Sequence, residues 1–194
     1  MKRTVTHTGL TAAVAFGMLL AGCTHEDKTP TTTPTSAPPA SASASPWAPT
    51  SAAAETPDQA KQHAIDAYLA FQNAFEKASA AGDPNYPDLA KYGTGAALTL
   101  YTNGLKSAKS QGLLGRGQTV FHPKIASLSP PAAPTKASVQ DCMDTSRTSR
   151  YKADGSPYKD TPGGLRLTLA DVERINGNWM VTSVAIREVG SCTL

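Results

Sequence analysis

Asp141 and Asp144, in the stretch DCMD, are the carboxylates whose placement could support proton transfer. His122 precedes them, and Tyr68, Tyr92 and Tyr101 lie earlier in the chain. A carboxylic acid with a raised pKa, working beside a tyrosine hydroxyl donor, can move a proton to and from a bound substrate. The spacing argues against a joint role for the two aspartates, because residues three apart on a strand point to opposite faces. The plainer reading makes an aspartate a turn cap through backbone hydrogen bonds and the tyrosines core residues. Tyr68, Phe71, Tyr101 and Asp144 form the candidate pocket set.

Other chemistries fare worse. Only His63 and His122 fall in the part of the chain that reads as folded, and no zinc-type ligand spacing occurs, so no metal or cofactor is expected. GLLGRG lacks the lysine–serine ending of a phosphate loop and precedes a strand, so it reads as a connection. No serine nucleophile elbow is present. RTSRYKADGSPYK interleaves Arg147, Arg150, Lys152 and Lys159 with Tyr151 and Tyr158. Arg147, Arg150, Tyr151 and Tyr158 could hold an anionic or sugar-containing wall polymer by charge and stacking. The alternative is a solvated loop between two strands.

These residues need an address and a scaffold. Lys2 and Arg3 form a basic tip, and Gly9 to Ala21 is small or apolar, too short to span a bilayer. Such a segment reads as an export signal. Its end, Leu20-Ala21-Gly22-Cys23, resembles the lipobox of bacterial lipoproteins. The resemblance implies cleavage after Gly22, a diacylglycerol on the Cys23 thiol, and residence on the extracytoplasmic face of the cell membrane. An ordinary secretory signal with a chance cysteine is the alternative.

From Thr24 to Pro57 the chain is mostly Pro, Thr, Ser and Ala, and seven of its 15 prolines fall there. A stretch with so little to bury should stay disordered, reaching ~100 Å if fully extended. The organisation expected is a signal over 1–22, a lipidated cysteine and linker over 23–56, and one domain over 57–194. The formal net charge of +3 loses Lys2 and Arg3 with the signal, which leaves +1. Near-neutrality and export both argue against nucleic acid as a partner.

Thr56-Pro57-Asp58-Gln59 reads as a capping box with proline at the first helical position. Apolar or small residues then recur at helical spacing from Ala60 to Ala78, and Gly82 ends the run. A short helix is expected over Asp88 to Tyr92. A longer one is expected from Gly95 or Ala96 to Gln111, with Leu98, Tyr101, Leu105 and Ala108 on one face. After Gly117 the period becomes strand-like. QTVFHPKIASLS is a first strand, edge or bulged because of Pro123. KASVQDCMD is a second, with Val139, Asp141 and Met143 on one face. LRLTLADVERI and NWMVTSVAIREV follow, joined at Asn176-Gly177 by a type I′ hairpin turn. Helices followed by antiparallel strands predict an α+β fold, with helices on one face of a curved four-stranded sheet.

The block YPDLAKYGTGAALTLYTNGLKSAKSQGLLGRG, the DCMDTS segment, the INGNWMVTSV hairpin and the terminal Cys192 resemble secreted, lipobox-bearing members of the nuclear transport factor 2-like superfamily. That resemblance implies a cone-shaped α+β domain with a pocket between helices and sheet, on a scaffold that hosts enzymes, carriers and assembly modules alike. With Cys23 assigned through the lipobox, Cys142 and Cys192 remain, and an oxidising compartment implies a disulfide between them. Two free thiols or a redox pair are the alternatives.

The expected function is that of a surface lipoprotein without enzymatic activity, a binding or assembly module at the cell envelope. Its expected partners are the membrane, through the lipid, and a cell-wall polymer or envelope protein. The alternative is a small-molecule carrier, or an isomerase- or dehydratase-like enzyme using the pocket. An interior filled by Tyr68, Phe71 and Trp179 favours the first. An open, mostly apolar cavity with Asp144 or a tyrosine pointing inward favours the second.

Overall fold

Thr56 caps the first helix as the sequence predicts. In the computed structural model, which describes residues 55–194, its hydroxyl accepts the Gln59 N–H at 3.3 Å, while Gln59 Oε1 accepts the Thr56 N–H at 3.0 Å. The export signal, Cys23 and nearly all of the Pro- and Thr-rich stretch lie outside the described residues. Helix α1 runs over Pro57–Ala81 and stops at Gly82, which takes the left-handed conformation. Helix α2 covers Pro87–Tyr92 and α3 covers Gly95–Ser110. Ala60, Ala64, Tyr68 and Phe71 form the buried stripe of α1, and Ala97, Tyr101 and Leu105 that of α3.

The strands are β1 (Leu113–Arg116), β2 (Pro123–Ser129), β3 (Lys136–Asp144), β4 (Ser149–Lys152), β5 (Leu165–Ile175) and β6 (Asn178–Ile186). β2, β3, β5 and β6 form a four-stranded sheet in that order, antiparallel throughout. β2 is an edge strand with a bulge between Ile125 and Ser127, as Pro123 leads one to expect. Asn176 and Gly177 have φ of 51° and 85°, the two positive angles of a type I′ turn.

Three sequence expectations need correction. The first strand begins at Pro123, not Gln118, and the preceding segment touches the sheet only through the Val120–Asp144 bridge. GLLGRG contains β1, and RTSRYK contains β4. They pair as a separate two-stranded antiparallel sheet, with Leu113 opposite Lys152 and Arg116 opposite Ser149. Four-residue strands of mixed polarity carry no period to read. Their pairing comes from tertiary packing, including Gly115, whose missing side chain lets Ser79 of α1 come close.

α1 and α3 pack on one face of the larger sheet. The core lies between them, with Val139, Ala170, Val172 and Val181 from the strands against Tyr68 and Phe71. Cys142 and Cys192 form a disulfide that ties β3 to the C-terminal tail across a sequence separation of 50. Glu55, which composition assigns to the linker, is held by the domain. It accepts the Trp179 indole N–H at 2.9 Å and lies within 3.8 Å of Arg174.

Candidate functional site

β3 alternates, so Asp141 enters the core while Asp144 ends the strand at a turn. Asp141 is fully buried. It accepts the Tyr68 hydroxyl at 2.8 Å and the His122 backbone N–H at 2.7 Å. Burial pushes the Asp141 carboxyl up, and the His122 and Tyr68 hydrogen bonds only partly offset that. Burial, and then the Asp141 charge, push the Tyr68 hydroxyl far above its usual range. Asp144 accepts the Ser146 N–H at 2.8 Å, and that bond holds its carboxyl below the usual range. It is therefore the turn cap of the plainer reading.

The cavity lies elsewhere. It has a volume of about 380 Å³ and sits between α1, α3, the smaller sheet and the near ends of β3, β5 and β6. Of the pocket set Tyr68, Phe71, Tyr101 and Asp144, only Tyr101 lines it. Tyr68 and Phe71 are sealed in the core, and Asp144 faces the turn. Phe71 stacks on Tyr101 at 4.8 Å and forms the layer behind the cavity wall. The Tyr101 hydroxyl donates to Gln72 Oε1 at 2.8 Å, and its burial pushes its pKa up, which makes it a poor acid at neutral pH.

Sequence reasoning missed these charged and amide groups of this cavity: Gln72 and Glu76 from α1, Arg116 from β1, Asp160 from the loop before β5, and Arg166 from β5. Glu76 accepts the Thr119 N–H at 2.7 Å. Asp160 takes the Arg150 backbone N–H at 2.6 Å and lies 3.5 Å from its guanidinium. Arg116 donates to Ser149 Oγ at 2.9 Å. Gln72 Nε2 and Arg166 Nε are buried without a hydrogen-bond partner. A signal for Arg166 exists in LRLTLADV. Arg166, Thr168, Ala170 and Val172 share one face of the strand by alternation, and that face is the inner one.

Of the proposed polymer-binding residues, Arg150 is exposed and Tyr151 is half-buried. Arg150 is paired with Asp160 and lines the cavity, and the Arg116 guanidinium lies 5.2 Å from the centre of the Tyr151 ring. Arg147 and Tyr158 are exposed. His63 lies beside Glu55, at 3.2 Å, and Tyr92 packs against the core. Among the described residues, no group of three or more His, Cys, Asp or Glu side chains could hold a metal ion, and no helix is long and apolar enough to cross a membrane.

Fold and site together define an α+β domain with a partly open, amphipathic cavity between helices and sheet. No protein-family model matches the sequence, and no curated protein matches it. Solved structures similar to it include the intermembrane space region of the chloroplast protein ARC6. The TM-score is 0.48 and the identity 16%, over 65% of this chain and 95% of that one. An NTF2-like protein of unknown function from Pseudomonas putida KT2440 is also similar. Its TM-score is 0.37 and its identity 15%, over 66% of this chain and 86% of that one.

Proposed function

We propose that this chain is a lipid-anchored extracytoplasmic binding module that holds a small molecule in its cavity and performs no chemistry on it. The cavity carries the reading. Its volume falls among small-molecule sites of roughly 300–1,000 Å³, and its walls set apolar side chains such as Phe75, Leu105, Phe121 and Met143 among polar and charged ones. The groups best suited to proton transfer are kept from it, because Asp141 and Tyr68 bond to each other inside the core. Its two carboxylates, Glu76 and Asp160, already accept backbone N–H groups. The core around Tyr68, Phe71 and Trp179 is filled, so the domain combines a solid half with a hollow one. Helices over one face of a bulged antiparallel sheet suit a nuclear transport factor 2-like cone. The lipobox resemblance of Cys23 supports the anchor, and the Cys142–Cys192 bridge suits an oxidising compartment.

Gly104 provides the test. It lines the cavity from the middle of α3, and a Cβ there meets nothing within 4 Å. A Gly104→Phe side chain therefore leaves α3 into open space at the hollow, and it removes a helix-interior glycine, which costs roughly 0.8–1 kcal/mol relative to alanine. The purified full-length chain should bind the neutral dye N-phenyl-1-naphthylamine saturably. Gly104→Phe should bind it at least tenfold more weakly with an unchanged or raised melting temperature. No saturable binding by the wild type, or equal binding by the variant, would remove the cavity from the function.

A further inference from the structure

We infer that the cavity selects an amphipathic monocarboxylate: an alkyl or aryl body ending in a single carboxylate. This rests on the cavity being a binding site, and adds the chemistry of what it binds.

Arg166 is the first observation. β5 pairs with β3 so that Arg166 stands opposite Met143, beside the inward-facing Thr168–Asp141 pair. It therefore points a guanidinium into the cavity from the core face of a sheet, where apolar residues are the rule. Its Nε is buried and has no partner. The ion pairs formed by arginines among the described residues use Arg150 and Arg174, not Arg166. Arg166 is half-buried, and a ligand carboxylate at the cavity wall would meet its guanidinium through two parallel hydrogen bonds, one of them filling the vacant Nε–H.

Gln72 is the second observation, and it is independent. Its side chain is 97% buried, with only 3% of its surface exposed. Its Oε1 is occupied by Tyr101, while Nε2 is buried with no acceptor, on a residue that lines the cavity. An unmade bond at a buried amide costs about 1–3 kcal/mol. Both orphaned groups are donors, so the missing partner is an acceptor.

Charge and shape complete the argument. Three arginines, at 116, 150 and 166, face two carboxylates, at 76 and 160, which leaves one positive charge for the ligand to match. A second hollow shares Phe75, Tyr101, Gly104 and Ile186 with the cavity and adds Leu100, Val184 and Ala185. Leu100 and Ile186 are exposed there, an apolar lane leading outward that suits a hydrocarbon tail.

The experiment is calorimetric titration of the full-length chain with decanoate, 1-decanol and decyl phosphate. Decanoate should bind at least tenfold more tightly than 1-decanol. Arg166→Gln should erase that preference, and Arg166→Lys should restore part of it. Lys124→Gln, an equal charge loss on β2, should change nothing. Equal binding of decanoate and 1-decanol, with dye binding intact, overturns the carboxylate and spares the binding module. Tighter binding of decyl phosphate overturns it in favour of a phosphate head. Failure to bind either the dye or decanoate ends both readings. If Arg166→Gln does not fold, the wild-type preference for decanoate over 1-decanol still decides.

Discussion

Burial pushes the Asp141 carboxyl above its usual range, while the Ser146 N–H holds Asp144 below it. Linkage turns these directions into opposite pH dependences. Native Asp141 holds its proton more tightly than the unfolded chain does. Its contribution is full below the ordinary carboxylate pKa and is lost as pH rises through the raised value. Asp144 contributes above the ordinary pKa and loses that contribution as pH falls through its lowered one. In urea unfolding from about pH 3.5 to 7, stability of the wild type relative to Asp141→Asn should fall with rising pH, and relative to Asp144→Asn it should rise. Parallel profiles would contradict the assigned environments. That the two aspartates part company was legible in the sequence, because strand alternation requires it. Gln72 was not legible as a site residue, whereas alternation in LRLTLADV puts Arg166 on the inner face. Only the packing of α1 against β5 reveals that they face a hollow.

Among the elements, β6 shows how a phase shift can hide. Trp179 and Val181 face the core, but opposite Asp171 and Val172 the register slips by one residue, so that Val184 and Ile186 pair inward-facing Ala170 and Thr168. The apolar spacing of NWMVTSVAI carries this bulge, and strict alternation would have pointed Ser183 inward. The long helices and strands were readable because each repeats its period several times. β1 and β4 were not, being too short to repeat anything. The terminal residues are held by the bridge from β3, with the Ser191 hydroxyl also accepting the Leu167 N–H at 2.9 Å. Closing a loop of this length stabilises by about 4 kcal/mol if chain entropy dominates. Cys142→Ser should lower the melting temperature by about 10 °C, and reductant should lower the wild type to the same value. Unchanged melting in both would mean the bridge contributes nothing to folding.

On the scale of the whole molecule, the join between the proposed linker and the domain matters. Glu55 is bound by Trp179 at the β5–β6 hairpin, just before α1 begins. The cavity lies along the second half of that helix, around Gln72 to Ala80. At 1.5 Å per residue, Glu76 stands about 28 Å along the axis from Pro57. The proposed tether thus enters at one end of α1 and the cavity opens towards the other, so anchoring and binding should be separable. This division was half legible. Composition marks where the proposed linker gives way to the domain to within a residue or two, Glu55 being held by Trp179, but the ligand's chemistry depends on groups that meet only after folding. The proposed anchor predicts that Cys23→Ala moves the protein from the membrane pellet to the soluble fraction. Two acyl chains hold a protein where one holds it only marginally, at about 0.8 kcal/mol for each buried CH₂, so losing the thiol should release it nearly completely. Ligand binding by the released protein should match that of the wild type within about twofold, or ~0.4 kcal/mol. Continued pelleting of Cys23→Ala would refute the anchor, and release accompanied by lost binding would show that the two ends of the molecule are coupled.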